Sequence, residues 1–183
     1  MERWPPIYDA DELKETISSL HGKPELEHWF YQLDQSGDPC QGDILALDAA
    51  VPHLDADGAP AVGDEVFSHW MVIGNTCDIA RSIEDAGWVQ LVPVVDMGTE
   101  DDYEAHLDVF RRYEYSRRFY LPSWSDSVKG RVMIGEFCFT VPARKELVKS
   151  SRVVARLSQR GWYLLHACLV RFLCRDDGRF DTD

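Results

Sequence analysis

The chain has 183 residues, of which 45% are hydrophobic and 28% are charged, and these values exclude disordered, collagen-like and disulfide-scaffold proteins. Its formal net charge of −13 opposes non-specific binding to nucleic acid, which depends on clusters of lysine and arginine. This charge is divided unevenly, because residues 1–110 carry a net charge of −20 and residues 111–183 a net charge of +7.

Residues 1–34 are predicted to form a helical preface to the rest of the chain. Asp9 is a suitable cap for a helix that runs to His21. A second short helix is predicted after Pro24, and its apolar stripe consists of Leu26, Trp29, Phe30 and Leu33. The polar stretch 34–41 contains glycine and proline and separates this preface from the following elements.

A β-rich core is predicted over residues 42–157. Apolar runs at residues 42–47, 67–73 and 88–95 are typical of strands. The density of proline and glycine over residues 50–64 instead indicates a long turn region.

A helix inserted into this core is predicted at residues 101–115, because Tyr103, Leu107 and Phe110 recur at spacings of three and four. The chain then returns to β character, with alternating apolar residues over part of its length. The predicted elements are strands at 119–121, 132–134 and 137–141 and a helical turn at 144–149.

The strongest helical pattern covers residues 159–175, and the polar residues 176–183 are predicted to form a flexible tail. The main apolar stripe of this helix consists of Trp162, Leu165, Leu169 and Phe172. We expect the stripe to pack on the sheet. Leu164 and Leu173 would then be available to contact a second subunit, so the sequence is compatible with a homodimer. Together the elements predict an α+β fold on an antiparallel sheet, with the chain forming a single domain.

The segment between Asn75 and Arg81 is the sharpest local feature, because it follows an apolar strand directly. A strand-to-helix turn exposes backbone N–H groups, which favour an anion. Asn75, Thr76 and Arg81 are therefore candidate binding residues. Helix capping by Asn75 and Asp78 explains the same pattern without a ligand.

Cys77 in the same segment is a candidate nucleophile. A histidine such as His69 or His106 could activate its thiol, and the carboxylate of Asp78 completes the candidate catalytic set. A small buried residue without any chemical role is the alternative interpretation of Cys77.

Two charged clusters are candidate interaction surfaces. Arg117 and Arg118 lie among further arginines and aromatic residues, a combination that suits RNA phosphates and bases, or ion pairs with the acidic half. Asp101, Asp102 and Glu104 are candidates for an acidic surface that binds a basic partner.

The sequence predicts no metal site and no cofactor. Residues 53–64 have a glycine where a calcium loop needs one, but they begin on His53, and a hairpin turn at Asp57 and Gly58 explains the pattern. The cysteines have no zinc-type spacing, and nucleotide-binding glycine motifs are absent from the sequence.

The sequence also predicts a cytoplasmic protein that does not contact a membrane. No apolar run approaches the roughly 20 residues that a membrane-spanning helix needs. The N-terminal residues lack the pattern of an export signal. The odd number of scattered cysteines favours a reducing compartment.

Three short stretches within about residues 42–97 resemble the start of the MazF/PemK-like growth-inhibitor toxins. They are Gly42–Ile44, Met71–Asn75 and Val89–Pro93. The resemblance implies a small antiparallel, SH3-like, partly open β-barrel between the helical preface and the long C-terminal helix. Members of that family are ribosome-independent endoribonucleases that dimerise and are neutralised by an antitoxin.

The catalytic residues implied by this resemblance are not present in the expected positions. The family's catalytic arginine precedes the second strand, where this chain has Ser68 and His69. Its catalytic threonine or serine would fall near Val95 and Asp96. We therefore do not expect the activity to carry over, because a shared fold does not imply a shared function.

The sequence thus predicts an acidic, non-catalytic protein-binding module of a bacterial toxin–antitoxin, immunity or phage-defence system, with a basic protein as its partner. The alternative is a divergent MazF/PemK-like endoribonuclease acting on RNA, or a thiol hydrolase that uses Cys77. Two interpretations of the charge also stay open. The acidic half either binds a partner or pairs only with the basic C-terminal third.

Overall fold

The computed structural model describes Glu15, residues 30–124 and residues 129–173. The helix predicted from Asp9 to His21 therefore lies outside the described residues, apart from Glu15. The second predicted helix is described only from Phe30, and its extension to Leu33 is wrong, because Tyr31 already pairs with Leu157 in a β-bridge and the Leu33 side chain is fully exposed. The tail predicted at residues 176–183 lies outside them as well.

Among the described residues, seven strands form one open antiparallel sheet, which confirms the predicted α+β class. The strands are β1 (Ile44–Leu54), β2 (Pro60–Val72), β3 (Trp88–Thr99), β4 (Arg118–Leu121), β5 (Arg131–Glu136), β6 (Val141–Arg144) and β7 (Arg152–Ala155). Their order is β4-β5-β3-β2-β1-β7, and β6 also pairs with β3. β6 pairs with the first half of β3 and β5 with its second half, so these two short strands lie along β3 in succession.

Within the described ranges, four α-helices with defined bounds accompany the sheet. They are α1 (Thr76–Ala80), α2 (Glu104–Arg111), α3 (Lys145–Ser150) and α4 (Gln159–Leu173). The C-terminal helix predicted from apolar periodicity is confirmed as α4 as far as Leu173. The helical turn predicted at residues 144–149 is α3.

The central strands are buried on both faces, because neighbouring residues of the same strand enter two different cores. Met71 and Val92 belong to the first core, whereas Trp70, Val72 and Leu91 belong to the second. Helix α4 covers the first core, and α1 and α3 contribute to the second. This two-sided burial explains why the central strands read as continuous apolar runs rather than as an alternating pattern.

Helix α4 packs on the sheet as predicted. Leu165 is fully buried in the first core together with Ile44 and Met71, and the other three members of the predicted stripe are partly buried against the same core. The expectation that Leu164 meets a second subunit is wrong, because Leu164 is itself only 1% exposed. Leu173 is 76% exposed.

The long turn region predicted at residues 50–64 is wrong, because β1 and β2 extend through most of it as a hairpin. Only residues 55–59 form the turn. The Asp55 carboxylate accepts the backbone N–H groups of Asp57 and Ala59, and Gly58 adopts a left-handed conformation with φ of 79°. This turn closes the hairpin in five residues. Pro52, Pro60 and Gly63 therefore lie within the strands.

The helix predicted at residues 101–115 is shorter than expected. A 3₁₀ turn at Asp101–Tyr103 leads into α2, which ends at Arg111. The helix stops because Tyr113 adopts a positive φ of 54°, which directs its ring into the first core. There the Tyr113 hydroxyl donates a hydrogen bond to the carbonyl of Tyr120 at 3.0 Å.

The strand predicted at residues 137–141 is also wrong, because Phe137–Phe139 forms a 3₁₀ turn. The turn buries Phe137 in the first core and leaves Cys138 and Phe139 exposed. It carries the chain from β5 to β6, which both pair with β3. That path depends on contacts with a distant strand, and a local pattern of alternating apolar residues does not indicate it.

We expect replacement of Leu165 by alanine to lower the free energy of unfolding by about 2–5 kcal/mol, the usual cost of truncating a buried leucine. Denaturant titration measures this change. The matched control is Leu173→Ala on the same helix, for which a change within about 0.5 kcal/mol is expected because the side chain is exposed. Equal effects of the two substitutions would contradict the packing of α4 on the sheet.

Candidate functional site

A buried ion pair between Asp43 and Arg156 joins the start of β1 to the segment between β7 and α4. The Arg156 Nη2 lies 2.7 Å from an Asp43 carboxylate oxygen, and its Nε donates to the other oxygen at 2.9 Å. The backbone N–H of Cys40 donates to the same carboxylate. The hydrogen bonds to Asp43 raise the pKa of Arg156, which keeps the guanidinium charged.

Gln41 connects α1 to α4 beside this pair. Its backbone N–H donates to Thr76 Oγ1 at 3.0 Å, and its Nε2 donates to the carbonyl of Ile73 at 2.8 Å. Its Oε1 accepts from Trp162 Nε1 at 3.1 Å and lies 2.7 Å from His166 Nε2. Because Oε1 is an acceptor only, His166 donates from Nε2 and its neutral tautomer is defined. Burial lowers the pKa of His166.

The predicted binding segment at residues 75–81 forms α1 and the start of the following loop. The Asn75 side chain makes no capping hydrogen bond, so capping by this side chain is wrong. The Asp78 carboxylate pairs with Arg81 at 3.0 Å on the exposed side. Thr76 is held by Gln41, as described above. These contacts account for the polar residues of α1 by interactions within the protein.

The Cys77 thiol is exposed and, within the part of the chain that the structure describes, has no hydrogen-bond partner. His69 contacts Trp124, with ring centroids 5.5 Å apart, and burial lowers its pKa. His106 is exposed on α2. Neither histidine hydrogen-bonds Cys77, so the role of Cys77 as a nucleophile stays a prediction.

Lys145 is a positioning residue that the sequence analysis missed. Its side chain is fully buried at the end of α1. The ammonium group donates to three backbone carbonyls, those of Asp78 at 2.6 Å, Arg81 at 3.0 Å and Ser82 at 3.2 Å. A cation at a helix C-terminus satisfies carbonyls that have no intrahelical partner. Lys145 thereby anchors α1 to α3, a role without a local sequence signal.

The two predicted binding arginines, Arg117 and Arg118, meet at Glu136. Arg118 Nε donates to Glu136 Oε2 at 3.0 Å, and Arg117 Nε lies 3.8 Å from Oε1. Glu136 is only 6% exposed, and its Oε1 has no hydrogen-bond partner among the described residues. The guanidinium of Arg118 also lies over the ring of Tyr115 at 5.6 Å. In the sequence, the burial of Glu136 is indicated only by its position as the single carboxylate of an otherwise largely apolar strand.

The three carboxylates of the predicted acidic surface at residues 101–104 are all exposed, and one of them also has a structural role. Asp102 accepts hydrogen bonds from the Thr99 hydroxyl at 2.6 Å and from its backbone N–H at 3.0 Å, and these bonds lower the pKa of Asp102. Asp101 and Glu104 are exposed and have no ion-pair partner in the described part of the chain.

The acidic and basic halves neutralise each other at four places in the described structure. The pairs are Asp38–Lys149, Asp43–Arg156, Asp96–Arg131 and Glu100–Arg111. Pairing between the halves therefore accounts for part of the charge asymmetry. It does not account for the carboxylates of the β1–β2 hairpin.

The distal part of this hairpin, residues 47–69, is named here the β-arm. It begins where β1 leaves β7 and ends where β2 joins β3. The arm contains no lysine or arginine. Its five carboxylates are exposed, and none of them has an ion-pair partner among the described residues: Asp48, Asp55, Asp57, Asp64 and Glu65.

Exposed aliphatic side chains accompany the charge of the β-arm. Leu54, Val62 and Val66 are each more than 60% exposed. Residues 52–60 are exposed without interruption. The combination of an apolar patch and unpaired charge of one sign is typical of an interaction surface rather than of a core-facing hairpin.

No cluster of three or more potential metal ligands occurs among the described residues. Within the same residues, no helix has both the length and the apolar character needed to cross a membrane. Comparisons with protein-family models, curated proteins and solved structures found no match to this chain.

We expect the free energy of unfolding to fall as the pH is lowered through the ordinary histidine pKa of 6.5, because burial lowers the pKa of His166. The unfolded chain then binds a proton more readily than the folded protein. The contribution of neutral His166 to the free energy of unfolding is therefore complete above pH 6.5 and is lost as the pH falls below it. The assigned His166 ring signals in an NMR titration should have a midpoint below 6.5. In Gln41→Glu the midpoint should rise, because a carboxylate then faces the imidazole. An unchanged midpoint would contradict the Gln41–His166 contact.

Proposed function

We propose that this protein is an acidic, non-catalytic protein-binding module of a bacterial toxin–antitoxin, immunity or phage-defence system, and that it binds a basic protein in the cytoplasm. The observation that carries the proposal is the unneutralised charge of the β-arm. The basic third of the chain pairs with carboxylates elsewhere and leaves the five carboxylates of the arm exposed. Such a surface accelerates association with a partner of opposite charge.

The open antiparallel sheet supports the proposed SH3-like, partly open barrel. β3 divides its pairing between β5 and β6 on one side and β2 on the other. Segments in and next to the central strands, at residues 42–44, 71–75 and 89–93, carry the resemblance to the growth-inhibitor toxins. The proposed cellular system rests on that resemblance.

Charge reversal on the β-arm tests the proposal. The triple variant Asp57→Lys, Asp64→Lys and Glu65→Lys avoids Asp55, whose carboxylate holds the hairpin turn. We expect its association rate with a basic partner encoded by a flanking gene to fall at least about tenfold. The wild-type rate should also fall steeply between about 50 mM and about 500 mM salt. Stopped-flow fluorescence measures both effects.

The matched control is the triple variant Glu84→Lys, Asp85→Lys and Glu146→Lys, which changes the net charge equally at exposed positions outside the arm and outside the candidate acidic surface at residues 101–104. Its association rate should fall less than that of the arm variant. A partner that associates at a rate independent of salt would refute the proposal. Equal association rates for the two triple variants would show that the β-arm is not the surface that binds the partner.

A divergent endoribonuclease is the second candidate, and the arrangement around Glu136 favours it over a thiol hydrolase. The buried Glu136 Oε1, which accepts no hydrogen bond from any described residue, could act as a base, and Arg117 and Arg118 could hold a phosphate. Under this candidate, purified protein cleaves single-stranded RNA, Glu136→Gln loses the cleavage at least about a hundredfold, and Cys77→Ser retains it. Gel electrophoresis of labelled RNA measures the cleavage, and intact RNA with the wild-type protein would reject this candidate.

A further inference from the structure

The β-arm has one covered and one exposed face. Ala49 and Val51 pack against the second core from one face. On the other face three cross-strand pairs lie in succession: Leu54 with Pro60, Pro52 with Val62, and Ala50 with Val66. Residues that are paired across strands point to the same side, so these six residues form one apolar row. Its three largest aliphatic side chains are 62% to 69% exposed.

The edges of the arm are unsuited to the addition of another strand. Register shifts interrupt the hairpin between Ala46 and Ala49 and between Ala50 and Pro52. Pro52 lacks a backbone N–H, and the second shift places Asp64 and Glu65 between the paired residues Val62 and Val66. Bulges, prolines and charges of this kind protect an edge from pairing. The apolar row on the face remains accessible to a partner.

The negative charge of the arm determines which kind of partner can bind to the apolar row. Two copies of the arm packed face to face would bring ten carboxylates together without a lysine or arginine of either arm to neutralise them. A partner with lysines or arginines beside its own apolar residues would neutralise the same carboxylates. Electrostatic complementarity therefore favours a basic partner over a second copy of this chain.

The spacing of the row fits a helix. Successive pairs are two β1 residues apart, which corresponds to about 6.8 Å along the strand. Residues i and i+4 of an α-helix are about 6 Å apart along its axis. Three apolar residues at i, i+4 and i+8 can therefore contact the three pairs in turn, while flanking lysines reach Asp57, Asp64 and Glu65.

We propose that the exposed apolar face of the β-arm, formed by Leu54, Val62 and Val66 with their cross-strand partners, binds a basic amphipathic helix of a partner protein. This inference rests on the proposed binding of a basic protein and identifies its site and the form of its ligand. The apolar contacts fix the register of the helix, and the surrounding carboxylates provide the charge complementarity.

Three labelled peptides of about 18 residues, long enough for five helical turns, test the inference against the full-length protein. The first has leucines at i, i+4 and i+8 with lysines beside them. The second has the same composition with the leucines distributed around the helix. The third alternates lysine and valine and favours an extended strand. Fluorescence anisotropy measures each affinity, and sedimentation velocity of the unlabelled protein reports self-association.

The informative variant is Val62→Thr with Val66→Thr, which keeps β-branched side chains and makes the row polar. The matched control is Ile83→Thr with Leu147→Thr, two exposed aliphatic residues outside the arm. We expect the first peptide to bind the wild-type protein at least about tenfold more tightly than the second and third. The arm variant should lose this preference, and the control variant should keep it.

Equal binding of the first two peptides, with strong salt dependence, would overturn the helix site and leave the proposed acidic binding function intact. Tighter binding of the third peptide would overturn it in favour of strand addition. A homodimer that dissociates in the arm variant would assign the row to a second copy of the chain. Failure of all three peptides to bind would overturn this inference and count against the proposed function as well.

Discussion

The ion pair between Asp43 and Arg156 is the interaction on which the arrangement of the described chain depends. Asp43 is fully buried at the start of β1, and a buried carboxylate is costly unless a cation and hydrogen bonds satisfy it. Arg156 provides both, and it also donates to the carbonyls of Ser36 and Asp38. One side chain therefore ties together the loop before β1, the first strand and the connection to α4.

This junction positions the elements that the candidate sites use. Gln41 lies two residues before Asp43 and joins α1 to α4, and Lys145 joins the other end of α1 to α3. Helix α1 is thus held at both ends by partly buried hydrogen bonds rather than by its own five residues, which are too few for an independently stable helix. Ile79 of α1 belongs to the second core, and the inner face of the β-arm packs against the same core.

In the described part of the chain, charge is neutralised at the junction and along the sheet, and it is left unneutralised on the β-arm and at Asp101 and Glu104. Pairs between the two halves lie at the junction and along the sheet, whereas the arm has carboxylates only. Negative charge and irregular register disfavour the pairing of two arms edge to edge. The features that oppose self-association of the arm also make it complementary to a basic surface.

Elements defined by local periodicity could be predicted from the sequence, and elements defined by distant contacts could not. The apolar period of α4 locates the helix and its packing stripe, because burial of one helix face repeats every three to four residues. The end of α2 at Arg111 depends instead on the entry of Tyr113 into the core. The turn at Phe137–Phe139 depends on β5 and β6 sharing β3.

The sequence by itself determined the α+β class, the C-terminal helix and the acidic character of the first half, because composition and periodicity are properties of local segments. Only the tertiary structure decided which charges are paired, since Asp43 and Arg156 are 113 positions apart and no local pattern relates them. The buried positions of Lys145 and Glu136 and the exposure of the β-arm were decided in the same way. Burial of a charged or apolar side chain depends on what the remainder of the chain packs against it, and that is settled only when the sheet and helices assemble.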